Sequence, residues 1–530
     1  MPHSFPLLER IARRAQTAPN APAIIDNITD RTIDYATLYA DVCLYATELE
    51  ELAGESQDLK DARVGILAQK GYPIVVALLA TFSAGGLAIP LLTSLPQPEH
   101  HYMLSNGTAS ILLYDKKNEK RAEALQAELP EGSLRLKTIP DFTQGHTGSG
   151  EDIESMQELT RERKAMVLFT SGTTGRPKGV VTRHSALSAQ VSSIVEYWQW
   201  SENDLLYHVL PLNHLHGIVV ALLTTLWAGA AVELLPKLDG GQASLSLSLA
   251  PFHVWRRWIN KEGKPAITLM FGVPTVYTRL LSAYDSLSED EKREASRASA
   301  KLRLQVSGSA PLPESIKRRW DEEVGGGQIL LERYGMTETG ILLSTGFHND
   351  HRIAGHVGFP LPGVQVRLYN KDEKRVIDSE DEQGEIQVKG PGIFNEYWNL
   401  PEVTAGEFEE GEWFKTGDVG VRSKEHPGMY KILGRRSVDI IKSGGEKLSA
   451  LEVERALLEL DYITDAAVVG VPDEEWGQIV GAIVVATKDV DPETIRKDLR
   501  SKIAVYKVPR ALRVYPAIPR NAMGKIAKKV

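Results

Sequence analysis

Residues 168–181 read LFTSGTTGRPKGVV, and this stretch decides the expected fold and chemistry. Its apolar start predicts a strand, and residues 170–179 then combine hydroxyls, glycines and cations. Glycines let backbone N–H groups turn toward an anion, and a lysine adds a point charge suited to phosphate. We therefore predict a phosphate-binding loop made of Thr170, Ser171, Gly172, Thr173, Thr174, Gly175 and Lys178.

This loop differs from the P-loop, which needs Gly-Lys followed by Ser or Thr before a helix. Here Lys178 is followed by Gly179 and Val180. The alternative interpretation is a flexible surface loop. The strand that leads directly into the loop, and the density of donors, favour the phosphate site.

Outward from this loop, short apolar strands alternate with helical patterns from residue 20 to about 350, as in RVGILA, YPIVVALLATFSAGG and LAIPL. This alternation predicts an α/β fold with doubly wound parallel sheets. Residues 355–432 instead show short strands between turns rich in Gly, Pro and Asp, which predicts a small β subdomain. We therefore assign 1–433 to a large N-terminal domain, 434–437 to a hinge and 438–530 to a small α+β domain.

The composition is that of an ordinary soluble globular protein, with 530 residues, 42% apolar and 25% charged. A net charge of -9 argues against nucleic acid or an anionic membrane as the main partner. No apolar run approaches the ~20 residues of a membrane span. The only cysteine, Cys43, lies in the apolar stretch DVCLYA and is expected in the core, which suits a reducing, cytoplasmic setting. The Arg-rich N-terminus predicts a first amphipathic helix rather than a transit peptide.

Five further blocks follow the phosphate loop in order. They are SGSAPLP (307–313), ERYGMTETG (332–340), WFKTGD (413–418), GRRSVDIIKSGGEKLSALEVE (434–454) and PRNAMGK (519–525). Together the six blocks resemble the adenylate-forming superfamily of acyl-CoA synthetases, peptide-synthetase adenylation domains and luciferases. The resemblance covers essentially the whole chain.

The resemblance implies a two-step reaction. A carboxylate attacks the α-phosphate of ATP and expels pyrophosphate, and a thiol, here expected to be coenzyme A, then displaces AMP. By resemblance, Glu338 ligates Mg²⁺, Thr337 contacts the α-phosphate and Lys525 bridges the attacking carboxylate and that phosphate. The nucleotide-binding residues outside the loop would be Ser309, Tyr334, Gly335, Asp418 and Arg435, with Tyr334 on adenine and the last two at the ribose.

In this superfamily the mobile C-terminal domain rotates at the hinge between the two half-reactions. That rotation would replace Lys525 by a face carrying Lys442, Gly444 and Gly445 along the thiol's approach. The block GRRSVDIIK has one more residue than the usual form, so Arg436 and Ser437 are both candidates for the pivot. Ser449 is predicted to cap the next helix, with Glu452 completing a capping box.

The acyl-pocket segments most resemble those of malonyl-CoA synthetases, in LPLNHLHG with His214 and His216, in VSGSAPLP and in LLERYGMTE. Malonate or methylmalonate is a dianion, so a buried second carboxylate needs a cation. The candidates are Arg279, Arg303 and Arg318, assisted by His214 or His216.

Three alternatives stay open at this point. The chain could be a CoA ligase for a medium-chain or aromatic monocarboxylic acid, or an adenylating enzyme that loads a separate carrier protein. A relative that only binds nucleotide would be expected to lack Lys525, Glu338 or Asp418, and all three are present.

Overall fold

The structure is a computed structural model that describes residues 3–56, 58–142, 156–170, 177–235, 244–260, 263–409, 411–436, 438–443, 446–520, 526 and 528. Its strands are β1 His3–Ser4, β2 Pro22–Asp26, β3 Arg31–Asp34, β4 Arg63–Leu67, β5 Leu87–Pro90, β6 Ile111–Tyr114, β7 Arg135–Thr138, β8 Gln157–Glu158, β9 Lys164–Thr170, β10 Lys178–Arg183, β11 Leu205–His208, β12 Ala231–Leu234, β13 Leu269–Gly272, β14 Leu304–Ser307, β15 Leu331–Met336, β16 Gly340–Ser344, β17 Phe359–Pro360, β18 Gln365–Asn370, β19 Arg375–Ile377, β20 Gly384–Lys389, β21 Glu396–Tyr397, β22 Phe408–Glu409, β23 Trp413–Arg422, β24 Tyr430–Arg435, β25 Ile440–Ser443, β26 Glu446–Ser449, β27 Ile463–Asp473, β28 Gly477–Ala486 and β29 Ala511–Val514.

The α-helices are α1 Pro6–Thr17, α2 Tyr35–Glu50, α3 Tyr72–Ser83, α4 Gln97–Asn106, α5 Glu119–Ala127, α6 His184–Tyr197, α7 Thr224–Trp227, α8 Ser244–Ile259, α9 Pro274–Asp285, α10 Glu289–Ala300, α11 Glu314–Arg319, α12 Pro401–Gly406, α13 Ala450–Leu458 and α14 Pro492–Leu499. A π-helical segment, His216–Leu223, leads into α7.

Two large sheets form the centre of the N-terminal domain. One has the strand order β21-β10-β9-β5-β4-β6-β7, and the other β17-β16-β15-β14-β13-β11-β12-β2-β3. Neighbours from β9 through β7, and from β15 through β2, run parallel, whereas the edges are antiparallel. The central strands are buried along their whole length, as expected for parallel sheets covered on both faces. The predicted doubly wound α/β architecture is confirmed.

Local sequence explains how the helices cover these sheets. In α1, Pro6 occupies the first turn, and Leu7, Leu8 and Ile11 lie buried on one face. The apolar stretch around 74–83 forms α3, in which nearly every side chain is buried in the protein core. Cys43 is buried in α2, as predicted. Within the described ranges, no helix is long and apolar enough to cross a membrane.

The predicted β subdomain is an antiparallel sheet with the order β19-β18-β20-β23-β22, and β24 pairs with β23. The C-terminal unit has the order β26-β25-β28-β27, with β29 parallel to β28 and with α13 and α14 packed in its core. An α+β C-terminal unit is therefore confirmed. The charged stretch 284–300 contains α10, whose Ala295, Ala298 and Ser299 are buried.

Candidate functional site

The base of the predicted phosphate loop is an antiparallel hairpin. Strand β9 ends at Thr170 and β10 begins at Lys178, and these two residues are directly paired across the ladder. Tyr102 donates a 2.8 Å hydrogen bond to the carbonyl oxygen of Pro177, which anchors the returning strand. Ser171, Gly172, Thr173, Thr174 and Gly175 lie outside the described residues.

Lys178 and Glu338 meet at this hairpin through Tyr397. The ammonium of Lys178 lies 4.4 Å from the centre of the Tyr397 ring, and the phenolic hydroxyl of Tyr397 donates a 2.8 Å hydrogen bond to Oε1 of Glu338. The backbone N–H of Phe394 donates to the carbonyl oxygen of Glu338 at 2.7 Å. The turn after β15 and the strand β21 thus place a carboxylate beside the base of the predicted phosphate loop.

Burial shapes the chemistry of Glu338, whose exposed fraction is 7%. Burial raises the pKa of this carboxyl, while the hydrogen bond from Tyr397 and the positive charges of Arg435 and Lys178 lower it in part. Thr337, the preceding residue, is half-buried. In this buried setting, a nearby cation or charge-assisted hydrogen bonds stabilise the ionised form of the carboxyl group.

A second cluster joins three strands around Asp418. Tyr334 donates a 2.6 Å hydrogen bond to Oδ2 of Asp418, and Nε of Arg435 donates to Oδ1 at 2.9 Å. Asp418 and Arg435 are direct partners on β23 and β24. Each carboxylate oxygen has two acceptor positions, so one per oxygen is left for another donor such as a ribose hydroxyl. The structure therefore brings together three of the predicted nucleotide residues.

Gly335, next to Tyr334, is required by packing. A Cβ at this position would lie 2.1 Å from the carbonyl oxygen of Gly340 and 2.9 Å from Cα of Ile341. Both atoms are backbone of the paired strand β16, so they have no room to yield. Gly335 lets β15 and β16 approach closely beside Tyr334 and just before the turn that carries Glu338.

A third cluster surrounds Ser309, which follows the carboxyl end of β14. The backbone φ of Ser309 is 68°. Nη2 of Arg333 donates a 3.0 Å hydrogen bond to Oγ of Ser309, and Nδ1 of His216 lies 3.4 Å from the same oxygen. The ring of His216 stacks on Phe271. His214 is half-buried, with Nε2 3.4 Å from Nδ2 of Asn213.

Arg333 is the cation that the sequence reasoning missed. It is only 5% exposed, and burial lowers its pKa to about 9, so it stays charged at neutral pH. Its Nε and the Nε2 of His216 are buried without a hydrogen-bond partner in the described structure. Burial, with the nearby charge of Arg333, holds the pKa of His216 well below its usual range. This pocket is electropositive and has unused donor capacity.

The three arginines proposed from the sequence occupy different settings. Arg303 donates to both carboxylate oxygens of Asp204, at 2.8 and 2.6 Å. Its charge is already neutralised, so we do not assign it to a substrate. Arg279 on α9 and Arg318 on α11 are exposed. Arg279 shares its exposed helical face with Thr275, four residues earlier.

At the predicted hinge, Nη2 of Arg436 lies 3.6 Å from Oδ1 of Asp372. Lys442 lies on β25, paired with Lys447 on β26. Ser449 accepts a 3.2 Å hydrogen bond from the backbone N–H of Glu452, which confirms the predicted N-cap. The side chain of Glu452 is instead 2.6 Å from Nζ of Lys507. Ser437, Gly444, Gly445 and Lys525 lie outside the described residues.

The three clusters lie in and beside a large α/β domain, which is followed by a small α+β unit. The family model described as AMP-binding enzyme matches residues 11–398, and that of the AMP-binding enzyme C-terminal domain matches residues 452–525. The chain belongs to the AMP-binding enzyme family. Within it, the chain is an AMP-forming acyl-CoA synthetase that uses ATP.

Relatives and solved structures resemble it over nearly the whole length. A CoA ligase of Gibberella moniliformis is 38% identical over 96% of this chain and 91% of the relative. A mitochondrial malonate–CoA ligase of Mus musculus is 38% identical over 96% of this chain and 87% of the relative. The crystal structure of ATP-bound MatB from Rhodopseudomonas palustris has a TM-score of 0.83 and 30% identity, covering 99% of this chain and 98% of that one.

Proposed function

We propose that this protein converts malonate to malonyl-CoA through a malonyl-adenylate, with ATP and coenzyme A as the other substrates. The observation that carries the choice of acid is the buried guanidinium of Arg333, which has an unpartnered Nε and no carboxylate among its described contacts. An uncompensated buried charge is costly, so this pocket favours an anionic ligand. The name of the mouse relative, a malonate–CoA ligase, supports the same choice.

The pocket around Arg333 suits the carboxylate that does not react. Arg333 supplies charge, His216 has an unused ring nitrogen, and the hydroxyl of Ser309 accepts from Arg333. A monocarboxylic acid would leave this guanidinium buried and unpaired. Discrimination against acetate or octanoate then follows from the electrostatics of the pocket rather than from its size.

ATP would lie across the other two clusters. The loop Thr170–Lys178 would hold its outer phosphates, Tyr334 its adenine, and Asp418 with Arg435 its ribose. Because the reacting carboxylate and the α-phosphate are both anionic, a cation is needed between them, and Lys525 in the C-terminal unit is our candidate. Thr337 would hold an α-phosphate oxygen in line for attack.

Glu338 is our candidate for holding Mg²⁺. This metal is usually bound by one or two carboxylates together with substrate phosphates, and Glu338 is a buried carboxylate near the base of the phosphate loop. The residues therefore fit the ion, although the described residues contain no cluster of three His, Cys, Asp or Glu ligands. When bound, the ion neutralises charge on the phosphates.

The test is pyrophosphate release measured with malonate, methylmalonate, acetate, benzoate and octanoate. We expect the highest kcat/KM with malonate or methylmalonate; a higher value with benzoate or octanoate would refute the proposal. Release of a malonyl thioester on addition of coenzyme A would separate thioester synthesis from the loading of a carrier protein.

Arg333→Met should lower kcat/KM for malonate at least about thirtyfold, since truncating a buried charge partner costs about 2 kcal/mol or more. Its activity with acetate should be unchanged or higher. Arg297→Met, on the exposed face of α10, is the matched control. Equal losses with malonate and acetate would contradict the assignment.

The compartment is a separate proposal. The single cysteine of the sequence, Cys43, suits a reducing compartment, and we propose the cytoplasm. The mouse relative is named mitochondrial, so activity in fractionated cytosol and mitochondria is the deciding measurement.

A further inference from the structure

The two carboxylate oxygens of Asp439 contact different parts of the chain, one at the start of the proposed hinge and one in the C-terminal tail. Its Oδ2 accepts a 3.0 Å hydrogen bond from the backbone N–H of Arg435, and its Oδ1 lies 2.6 Å from Nζ of Lys528. Gly434, with a φ of 126°, packs directly on it: a Cβ there would lie 2.5 Å from Cβ of Asp439. One carboxylate thus contacts both the start of the hinge and the C-terminal tail.

Lys528 pairs with two carboxylates of the C-terminal unit. Its side chain is 11% exposed, and Nζ lies 2.6 Å from Asp439 and 2.7 Å from Oε1 of Glu454. Glu454 also accepts a 2.7 Å hydrogen bond from the backbone N–H of Val468. Burial alone would lower the pKa of Lys528, but the two carboxylates outweigh it and keep the ammonium charged.

The tail is also anchored before residues 521–525. Arg520 donates to both carboxylate oxygens of Asp465, at 2.8 and 2.7 Å. Arg520 and Ile526 form an antiparallel bridge. The backbone on both sides of the segment that includes Lys525 is therefore attached to the C-terminal unit.

The other end of this chain of contacts is the nucleotide site. Arg435, whose backbone N–H contacts Asp439, also donates its Nε to Asp418 at 2.9 Å. Asp418 in turn accepts from Tyr334. A contiguous set of hydrogen bonds and ion pairs joins the proposed ribose site, the hinge and the tail.

We propose that Lys528 is a positioning residue for adenylation: through Asp439 it ties the tail, three residues after Lys525 in the sequence, to the start of the hinge. The proposal rests on the proposed role of Lys525 as the adenylation cation. Thioester formation should depend on Lys528 far less, because Lys525 has no part in that half-reaction.

The experiment measures the half-reactions separately in the full-length enzyme. Lys528→Met should lower malonate-dependent ATP–pyrophosphate exchange by about tenfold to a hundredfold, the usual cost of misplacing a reacting group. Coenzyme A transfer from preformed malonyl-AMP should keep its wild-type rate. Lys528→Arg, which preserves the cation, should restore most of the exchange activity.

Two further variants separate positioning from charge balance. Asp439→Asn keeps the pair between Lys528 and Glu454 but weakens the hinge contact, and it should show the same split as Lys528→Met. Glu454→Gln keeps the hinge contact and should retain exchange activity. Lys502→Met, which removes a surface pair with Glu459 in the same unit, is the matched control.

The outcomes are distinct. Equal loss of both half-reactions in Lys528→Met and in Asp439→Asn would show a structural role and overturn the proposal. If Lys525→Ala loses exchange activity while Lys528→Met and Asp439→Asn keep it, the positioning role fails and that of Lys525 stands. If Lys525→Ala keeps full exchange activity, the proposed role of Lys525 fails and the positioning role with it. Should Lys528→Met not fold, Asp439→Asn and Lys528→Arg carry the test.

Discussion

The phenolic hydroxyl of Tyr334 donates a 2.6 Å hydrogen bond to Asp418, which lies 84 residues further along the chain. This contact joins β15, where the large sheet changes from parallel to antiparallel pairing, to β23 of the β subdomain. Arg435 occupies the second oxygen of Asp418 from the neighbouring strand. The proposed nucleoside site is therefore assembled from separate sheets and depends on their relative placement.

Substitutions at this contact should have graded effects. Tyr334→Phe loses one hydrogen bond, worth about 1 kcal/mol, and should raise the KM for ATP roughly fivefold. Asp418→Asn leaves Arg435 without its carboxylate partner. This variant should raise the KM for ATP at least about thirtyfold, because removing the partner of a buried charge costs more than removing one neutral hydrogen bond. Steady-state kinetics at saturating malonate measures both values. A larger effect for Tyr334→Phe than for Asp418→Asn would contradict the assignment.

The dependence on Mg²⁺ should vary with pH through Glu338. Burial raises the pKa of this carboxyl, and only the ionised form binds the metal, so the apparent affinity for Mg²⁺ should fall as the pH is lowered. Tyr397→Phe removes a hydrogen bond that lowers this pKa, so the fall should begin at higher pH. Mg²⁺ titrations of pyrophosphate release at several pH values measure the shift. Tyr369→Phe, on β18, is the control, and a shift to lower pH in Tyr397→Phe would be inconsistent with this explanation.

Gly335→Ala should disrupt both the fold and the site. The added Cβ would lie 2.1 Å from backbone oxygen of β16, so the two strands must separate. We expect a loss of about 1–3 kcal/mol in the free energy of unfolding, as for overpacked positions. The rate of ATP–pyrophosphate exchange should fall by more than the loss of folded protein explains. Denaturant unfolding and ATP–pyrophosphate exchange give the two numbers. Gly406→Ala, where a Cβ meets nothing within 4 Å, is the matched control.

Arg303→Met and Arg279→Met should have opposite signatures. The side chain of Asp204 is 3% exposed, and losing Arg303 would remove its cation and leave only the neutral donors of Ser201 and Thr268. We expect a loss of about 3 kcal/mol in stability, with little change in the KM for malonate. Arg279 is exposed, so its substitution should leave stability unchanged; as a candidate ligand of the second carboxylate, it should raise the KM for malonate. Thermal unfolding and steady-state kinetics distinguish the two variants. A rise in KM for Arg303→Met without loss of stability would restore it as a substrate ligand.

Stability should fall below neutral pH because of buried histidines. His184 packs between Phe5 and Phe82, and burial, with the charge of Arg163, lowers its pKa to about 3. In the unfolded chain a histidine takes up a proton near pH 6.5, whereas the buried His184 stays neutral until about pH 3. The free energy of unfolding is therefore unaffected by this residue above pH 6.5 and decreases as the pH falls from 6.5 toward 3. The loss is about 1.4 kcal/mol per pH unit for one such residue. His184→Gln should reduce this slope in urea unfolding between pH 6 and 4, and an unchanged slope would show that His184 is not its source.

The regular architecture was predictable from the sequence because it follows from local patterning. Buried apolar runs such as those of β5 and β6 recur between amphipathic or apolar helices, and this pattern specifies parallel sheets covered on both faces. The cap at Ser449 was equally local, since capping needs only residues three positions apart. The helix α10 was harder to predict because only small residues, Ala295, Ala298 and Ser299, form its buried face.

The sequence by itself determined the fold class, the order of the blocks and the chemical types that a nucleotide site needs. Only the tertiary structure decided which charged groups are already paired: Arg303 is neutralised by Asp204, whereas Arg333, within the block ERYGMTETG, is buried beside Ser309 and His216. The physical reason is that a charge gains its role from burial and from its neighbours, which come from distant parts of the chain. For the same reason, the connection of Lys528 to the hinge through Asp439 could be seen only in three dimensions.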